Sequence, residues 1–92
     1  MSASPRIAVV GAGYWGKNLV RNFHALGVLA AVSDPDENAQ AQVRANFPDA
    51  RLHSDVSETL LDPTITAVAI ATPAATHGGI TRLCLEAGKH VF

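Results

Sequence analysis

The sequence predicts an α/β fold, a doubly wound parallel sheet, and three observations predict it. Apolar runs suited to buried strands alternate with segments of helical periodicity along the whole of the 92 residues. The first run, Ile7-Ala8-Val9-Val10, feeds a turn in which Gly11, Gly13 and Gly16 stand at the G-x-G-x-x-G spacing. The run from Thr66 to Thr72 has no polar face to offer water and suits a central parallel strand. Right-handed crossovers then give an expected strand order of 3-2-1-4-5, with helices on both faces and a ligand crevice where the winding reverses, at the carboxyl ends of strands one and four.

Taken in order, the β-branched first strand ends at the glycine turn. Trp15, Leu19, Val20, Phe23 and Leu26 then mark the apolar face of a helix that Gly27 terminates. Each glycine of the turn has its own task in a dinucleotide-binding reading: Gly11 makes the tight turn, Gly13 lets backbone approach a pyrophosphate, and Gly16 lets helix and strand pack closely. The helix start offers free N–H groups and a positive dipole end to the phosphates. A glycine turn also serves purely structural ends, so its strand and helix context decides the reading. A methyltransferase-type site often carries an acidic residue two places before its first glycine, and here that place is Val9.

Val28 to Val32 form the second strand, followed by Ser33-Asp34-Pro35-Asp36-Glu37. Asp34 lies near the offset of about 20 residues at which a carboxylate accepts from the adenosine ribose hydroxyls and repels a 2′-phosphate, which favours NAD over NADP. The alternative makes Asp34 the N-cap of the next helix, with Pro35 at its first position. That helix is expected over about Asp36 to Asn46, with Ala39, Val43 and Phe47 toward the sheet and Pro48 beyond its end. Arg51-Leu52-His53 is a short third strand. Asp55-Val56-Ser57-Glu58 resembles a capping box and starts a brief helix through Leu61. After the fourth strand and Pro73, a helix over about Ala75 to Ala87 carries Ile80, Leu83, Cys84 and Ala87 toward the sheet. Gly88 ends it, and Lys89-His90-Val91-Phe92 begins a fifth strand.

Seven Lys and Arg against eight Asp and Glu give a net charge of −1 with no basic stripe, which disfavours nucleic acid as a partner. No apolar run approaches the roughly 20 residues of a membrane span, and the N-terminus lacks the features of a signal peptide, so the expected setting is cytoplasmic. Cys84 is the single cysteine and reads as a small buried apolar residue. His24, His53 and His90 have no partner at metal-ligand spacing, so no metal site is expected.

Four segments give the chain a resemblance to one family, the glucose–fructose oxidoreductase, inositol dehydrogenase and rhizopine-catabolism oxidoreductases. They are Gly11 to Asn18, Ser33-Asp34-Pro35, Ala71-Thr72-Pro73 with His77 after it, and Glu86 to Phe92. The Gly-Tyr-Trp-Gly-Lys-Asn form of the turn is also similar to the branch that oxidises nucleotide-linked sugars. The resemblance implies a Rossmann fold, a nicotinamide cofactor and a sugar or sugar-like alcohol as substrate. It implies that Tyr14 and Trp15 meet the pyrophosphate through their backbone, that Asp34 binds the ribose, and that Thr72, Pro73 and His77 line the nicotinamide half. For His77 the alternative is a residue that only satisfies local backbone. At Ala74 many members carry asparagine, so a side-chain contact is missing there.

In the family the fifth strand runs into a Glu-Lys-Pro motif whose lysine serves the reacting hydroxyl, and a second α/β domain follows. Residues 1–92 are therefore expected to form the cofactor-binding part, without catalytic residues of its own and without turnover in isolation. A non-catalytic NAD-binding or interaction module is the alternative. The edge at strand five is expected to pair in a homo-oligomer.

Overall fold

The computed structural model describes residues 5–13, 16–72 and 74–92, with residues 74–77 described as backbone alone. Five strands, β1 (Ile7–Val10), β2 (Leu29–Ser33), β3 (Arg51–His53), β4 (Ala67–Ile70) and β5 (His90–Val91), form one sheet in the order β3-β2-β1-β4-β5. All four pairings are parallel. The expected topology and the short third strand are both present.

Central β1 is buried on both faces, with Ala8 and Val9 at 0% exposure, because helices cover the sheet on either side. One layer is α1 (Gly16–Ala25) and α2 (Glu37–Asn46), whose Val20 and Val43 pack with Val9 and Val32. The other is α3 (Val56–Leu60) and α4 (Ala74–Glu86), where Val56, Leu60, Ile80 and Cys84 pack with Ala8, Val10 and Val68. Each fully buried Val contributes about 1.5–3 kcal/mol of transfer free energy. The β1–β2 register shifts by one residue after Ile7, which pairs with Leu29 while Ala8 pairs with Ala31. Ala30 and Ala31 consequently both join the α3/α4 side of the core, as the extra residue of a bulge allows.

The structure corrects several sequence expectations. Leu83 is 45% exposed and Ala87 is exposed, so among the described side chains α4 packs Ile80 and Cys84 inward, one helical turn apart. The reason is that β5 is a two-residue edge strand, leaving little sheet beneath the outer side of α4. Leu26 is 72% exposed because α1 ends at Ala25 and Leu26 belongs to the following turn. Asp55 does cap α3 by accepting the Ser57 N–H at 2.9 Å, but Glu58 accepts from the Ser54 hydroxyl, so the box does not close reciprocally.

Lys89 stabilises the end of the sheet opposite the strand carboxyl ends. It is 8% exposed, and its Nζ donates to the carbonyls of Asp62 and Ile65, both at 2.8 Å. This holds the loop that leads into β4 against the start of β5.

Candidate functional site

The carboxyl ends of β1, β2 and β4 open into a cleft of about 560 Å³. It is lined by Val10, Gly11 and Gly13 from the first turn, by Ser33, Asp34 and Pro35 after β2, by Ser54, Asp55 and Val56 after β3, and by Ala71, Thr72 and Ile80 beyond β4. This is the position where a change of winding direction in an open parallel sheet leaves a crevice.

The glycine turn is shaped by two close approaches. Gly11 has φ +93°, and a Cβ there would stand 3.0 Å from Thr72 Cγ2 and 3.1 Å from the Ala71 carbonyl carbon. Only a residue without a Cβ makes this turn against the β4 end. A Cβ on Gly16 would collide with the carbonyl oxygen of Gly11, so the start of α1 presses directly on the turn. At Gly13 nothing among the described residues lies within 4 Å of a would-be Cβ, and the residue is exposed, so it lines the cleft without a side chain while its carbonyl accepts the Lys17 N–H at 2.9 Å.

Asp34 ties this turn to the end of β2. Its Oδ2 accepts the Ala12 N–H at 2.7 Å and its Oδ1 accepts the Asp36 N–H at 2.8 Å. Its own N–H donates to the His53 carbonyl at 3.0 Å, and its carbonyl accepts from Gln40 Nε2 at 2.7 Å. Asp34 is not the helix cap: Asp36 caps α2, accepting the Ala39 N–H at 3.0 Å. A carboxylate offers about four acceptor positions, so two remain on Asp34 for a ligand.

Of the nine residues singled out from sequence, Gly11, Gly13, Asp34 and Thr72 line this one cleft, and Gly16 supports the turn beneath it. Tyr14, Trp15 and Pro73 lie outside the described residues. His77 belongs to the first turns of α4, and its side chain lies outside them too. Sequence reasoning did not single out Ser33, Ser54 or Ile80 as cleft residues, and it took Asp55 only as a helix start. Ser33 was findable: Val32 packs into the α1/α2 core, so alternation sends the next side chain to the opposite face at the strand's end.

Burial pushes the Cys84 thiol up, which keeps it protonated and inert. Among the described residues no group of three or more potential ligands is placed to hold a metal ion, and no helix is long and apolar enough to cross a membrane.

The glucose–fructose oxidoreductase, inositol dehydrogenase and rhizopine-catabolism family, an oxidoreductase family with an NAD-binding Rossmann fold, matches residues 5–92. Inositol 2-dehydrogenase of Mycolicibacterium smegmatis is 37% identical over 90 residues, which are 95% of this chain and 26% of that protein. The dehydrogenase WlbA of Bordetella pertussis, solved with NADH and UDP-GlcNAcA, superposes with a TM-score of 0.87 at 27% identity, over 97% of this chain and 28% of its own. Biliverdin reductase of Synechocystis, solved with biliverdin and NADP+, gives 0.84 at 31% identity, over 94% of this chain and 28% of its own. The chain thus spans about a quarter of the length of the relatives it matches. With that match over nearly all of its length, on a parallel sheet in the order β3-β2-β1-β4-β5 with the glycine turn at its crevice, the chain belongs to this oxidoreductase family with an NAD-binding Rossmann fold.

Proposed function

We propose that residues 1–92 are the cofactor-binding part of an NAD-dependent oxidoreductase acting on a hydroxyl of a sugar or nucleotide-linked sugar. The observation that carries this reading is the Asp34 carboxylate, held beside Gly13 in one cleft with acceptor capacity to spare. The two ribose hydroxyls of the adenosine half donate to Asp34, and the pyrophosphate lies along Gly11 to Gly16 at the start of α1. The family resemblance assigns Thr72, Pro73 and His77 to the nicotinamide half. The bound nicotinamide supplies a hydride acceptor, and the chain's own contribution is to bind and orient it.

Several observations support the choice of NAD. A 2′-phosphate beside Asp34 meets a carboxylate and no arginine in the next several positions, and Asp55 adds a second acidic side chain to the same cleft. The sugar substrate is supported by the inositol dehydrogenase and UDP-GlcNAcA relatives. These chains are several times longer, which supports assigning the acid–base chemistry to a polypeptide extending beyond these residues. The 92 residues alone then bind dinucleotide without turnover, in the cytoplasm. We propose further that the β5 side forms a homo-oligomer contact, because the ladder to β4 uses His90 and Phe92 and leaves the Val91 peptide groups facing outward.

Titration with NAD tests the reading: saturable binding that weakens in Asp34→Ala is expected, and its absence in the unaltered chain would contradict it. The alternative, a non-catalytic NAD-binding module, shares that result and differs only in what the rest of the polypeptide does.

A further inference from the structure

Ser33 is 2% exposed, and its Oγ is, among the described residues, a buried side-chain polar atom with no hydrogen-bond partner. Its backbone is well used, since its carbonyl accepts the Gly11 N–H at 2.8 Å. The side chain leaves β2 on the face opposite Val32, the face on which Val56 and Ile80 line the cleft, and Ser33 lines it with them. Alanine at this strand end would pack in the same space without an orphaned hydroxyl, so folding alone gives no reason for serine.

We propose that Ser33 is a further cofactor-binding residue, whose hydroxyl hydrogen-bonds the adenosine half of the dinucleotide. The inference rests on the dinucleotide reading above and adds a residue to it. Position selects the adenosine half, because Ser33 adjoins Asp34 and lies between the turn after β1 and the Ser54-Asp55-Val56 segment after β3. Chemistry agrees with position: a serine hydroxyl both donates and accepts, and adenosine presents ring-nitrogen acceptors beside amine and hydroxyl donors. A single torsion about Cα–Cβ moves Oγ between staggered positions, so the covered atom turns into the cleft without backbone movement.

The experiment compares the unaltered chain with Ser33→Ala by calorimetric titration of ADP-ribose and of NAD, together with the melting temperature of each ligand-free protein. The expected result is a loss of roughly tenfold in affinity for both ligands alike, with a melting temperature equal to or above that of the unaltered chain. Affinities within twofold of the unaltered chain would overturn the assignment, as would a loss for NAD that spares ADP-ribose. A lower melting temperature in the free variant with unchanged affinity would make the hydroxyl a folding element served by water. An unaltered chain that binds neither ligand would overturn the dinucleotide reading itself and the role of Ser33 with it, whereas Ser33→Ala binding like the unaltered chain removes only the latter.

Discussion

Asp34 Oδ2 and the backbone N–H of Ala12 are 2.7 Å apart, so the end of β2 is bonded directly to the middle of the glycine turn. The other carboxylate oxygen holds Asp36, the cap of α2. One side chain therefore fixes the relative positions of two loops that border the cleft. A ligand that accepts from the turn and donates to Asp34 meets both at a set spacing, without ordering them first.

Replacing Asp34 removes both bonds and leaves the Ala12 N–H without its partner. Hydrogen bonds to a charged group contribute about 1.5–3 kcal/mol. Asp34→Ala is expected to lower stability by about 2 kcal/mol, and Asp34→Asn by less, because one carbonyl oxygen still accepts. Urea unfolding midpoints of the three proteins check the ranking.

The glycines of the turn separate folding from binding. Gly16→Ala drives a methyl group into the Gly11 carbonyl, and overpacking of this kind costs about 1–3 kcal/mol. Gly13→Ala meets open space in the free protein, so its stability is expected within about 0.5 kcal/mol of the original. Its cost should appear in dinucleotide affinity, where the new methyl group stands in the path of the phosphates. Chemical denaturation and NAD titration of the two variants give opposite orders if this is right.

Acid should weaken the fold through two carboxylates. The Asp62 carboxyl is held below its usual 3.8 first by the Thr64 hydroxyl and then by the Thr64 N–H, with Arg51 adding to the effect. Asp55 is held below 3.8 by the Ser57 N–H and then the Ser57 hydroxyl. A folded-state value below the unfolded one means the stabilisation is fully present above the unfolded value and disappears as pH falls through the folded one. Unfolding free energy measured from about pH 6 down to about pH 2 should decline in that range, and less steeply in Asp62→Asn. An identical decline in the variant would assign the acid sensitivity elsewhere.

The sheet order was legible because each strand carries its own apolar run and each helix its own spacing, and even the three-residue β3 was found from Arg51-Leu52-His53. The fate of Leu83 was not legible, since helical spacing marks it as inward and only the shortness of β5 exposes it. At the site, Gly11 and Gly16 were readable from spacing, because close backbone approach excludes every other residue type. The tie from Asp34 to Ala12 was not, because it depends on where two chain segments meet in space. Alternation along β2 places Ser33 on the cleft face, but only the folded cleft shows that, among the described residues, its hydroxyl has no hydrogen-bond partner.

The β5 edge should associate. Val91 presents its peptide groups outward, and Phe92 beside it is 60% exposed while touching Phe23 edge-on at a centroid distance of 6.0 Å. Sedimentation over a wide concentration range should show a homodimer that Val91→Pro weakens, since proline removes the outward N–H. A monomer at every concentration, or a dimer indifferent to Val91→Pro, would refute the edge contact.

Whether Asp34 selects the cofactor is decided by side-by-side titration of NAD and NADP against the unaltered chain and Asp34→Ala. The unaltered chain is expected to bind NAD more tightly, with a preference that shrinks in the variant as the carboxylate facing the 2′ position is lost. Tighter binding of NADP, persisting unchanged in Asp34→Ala, would contradict it.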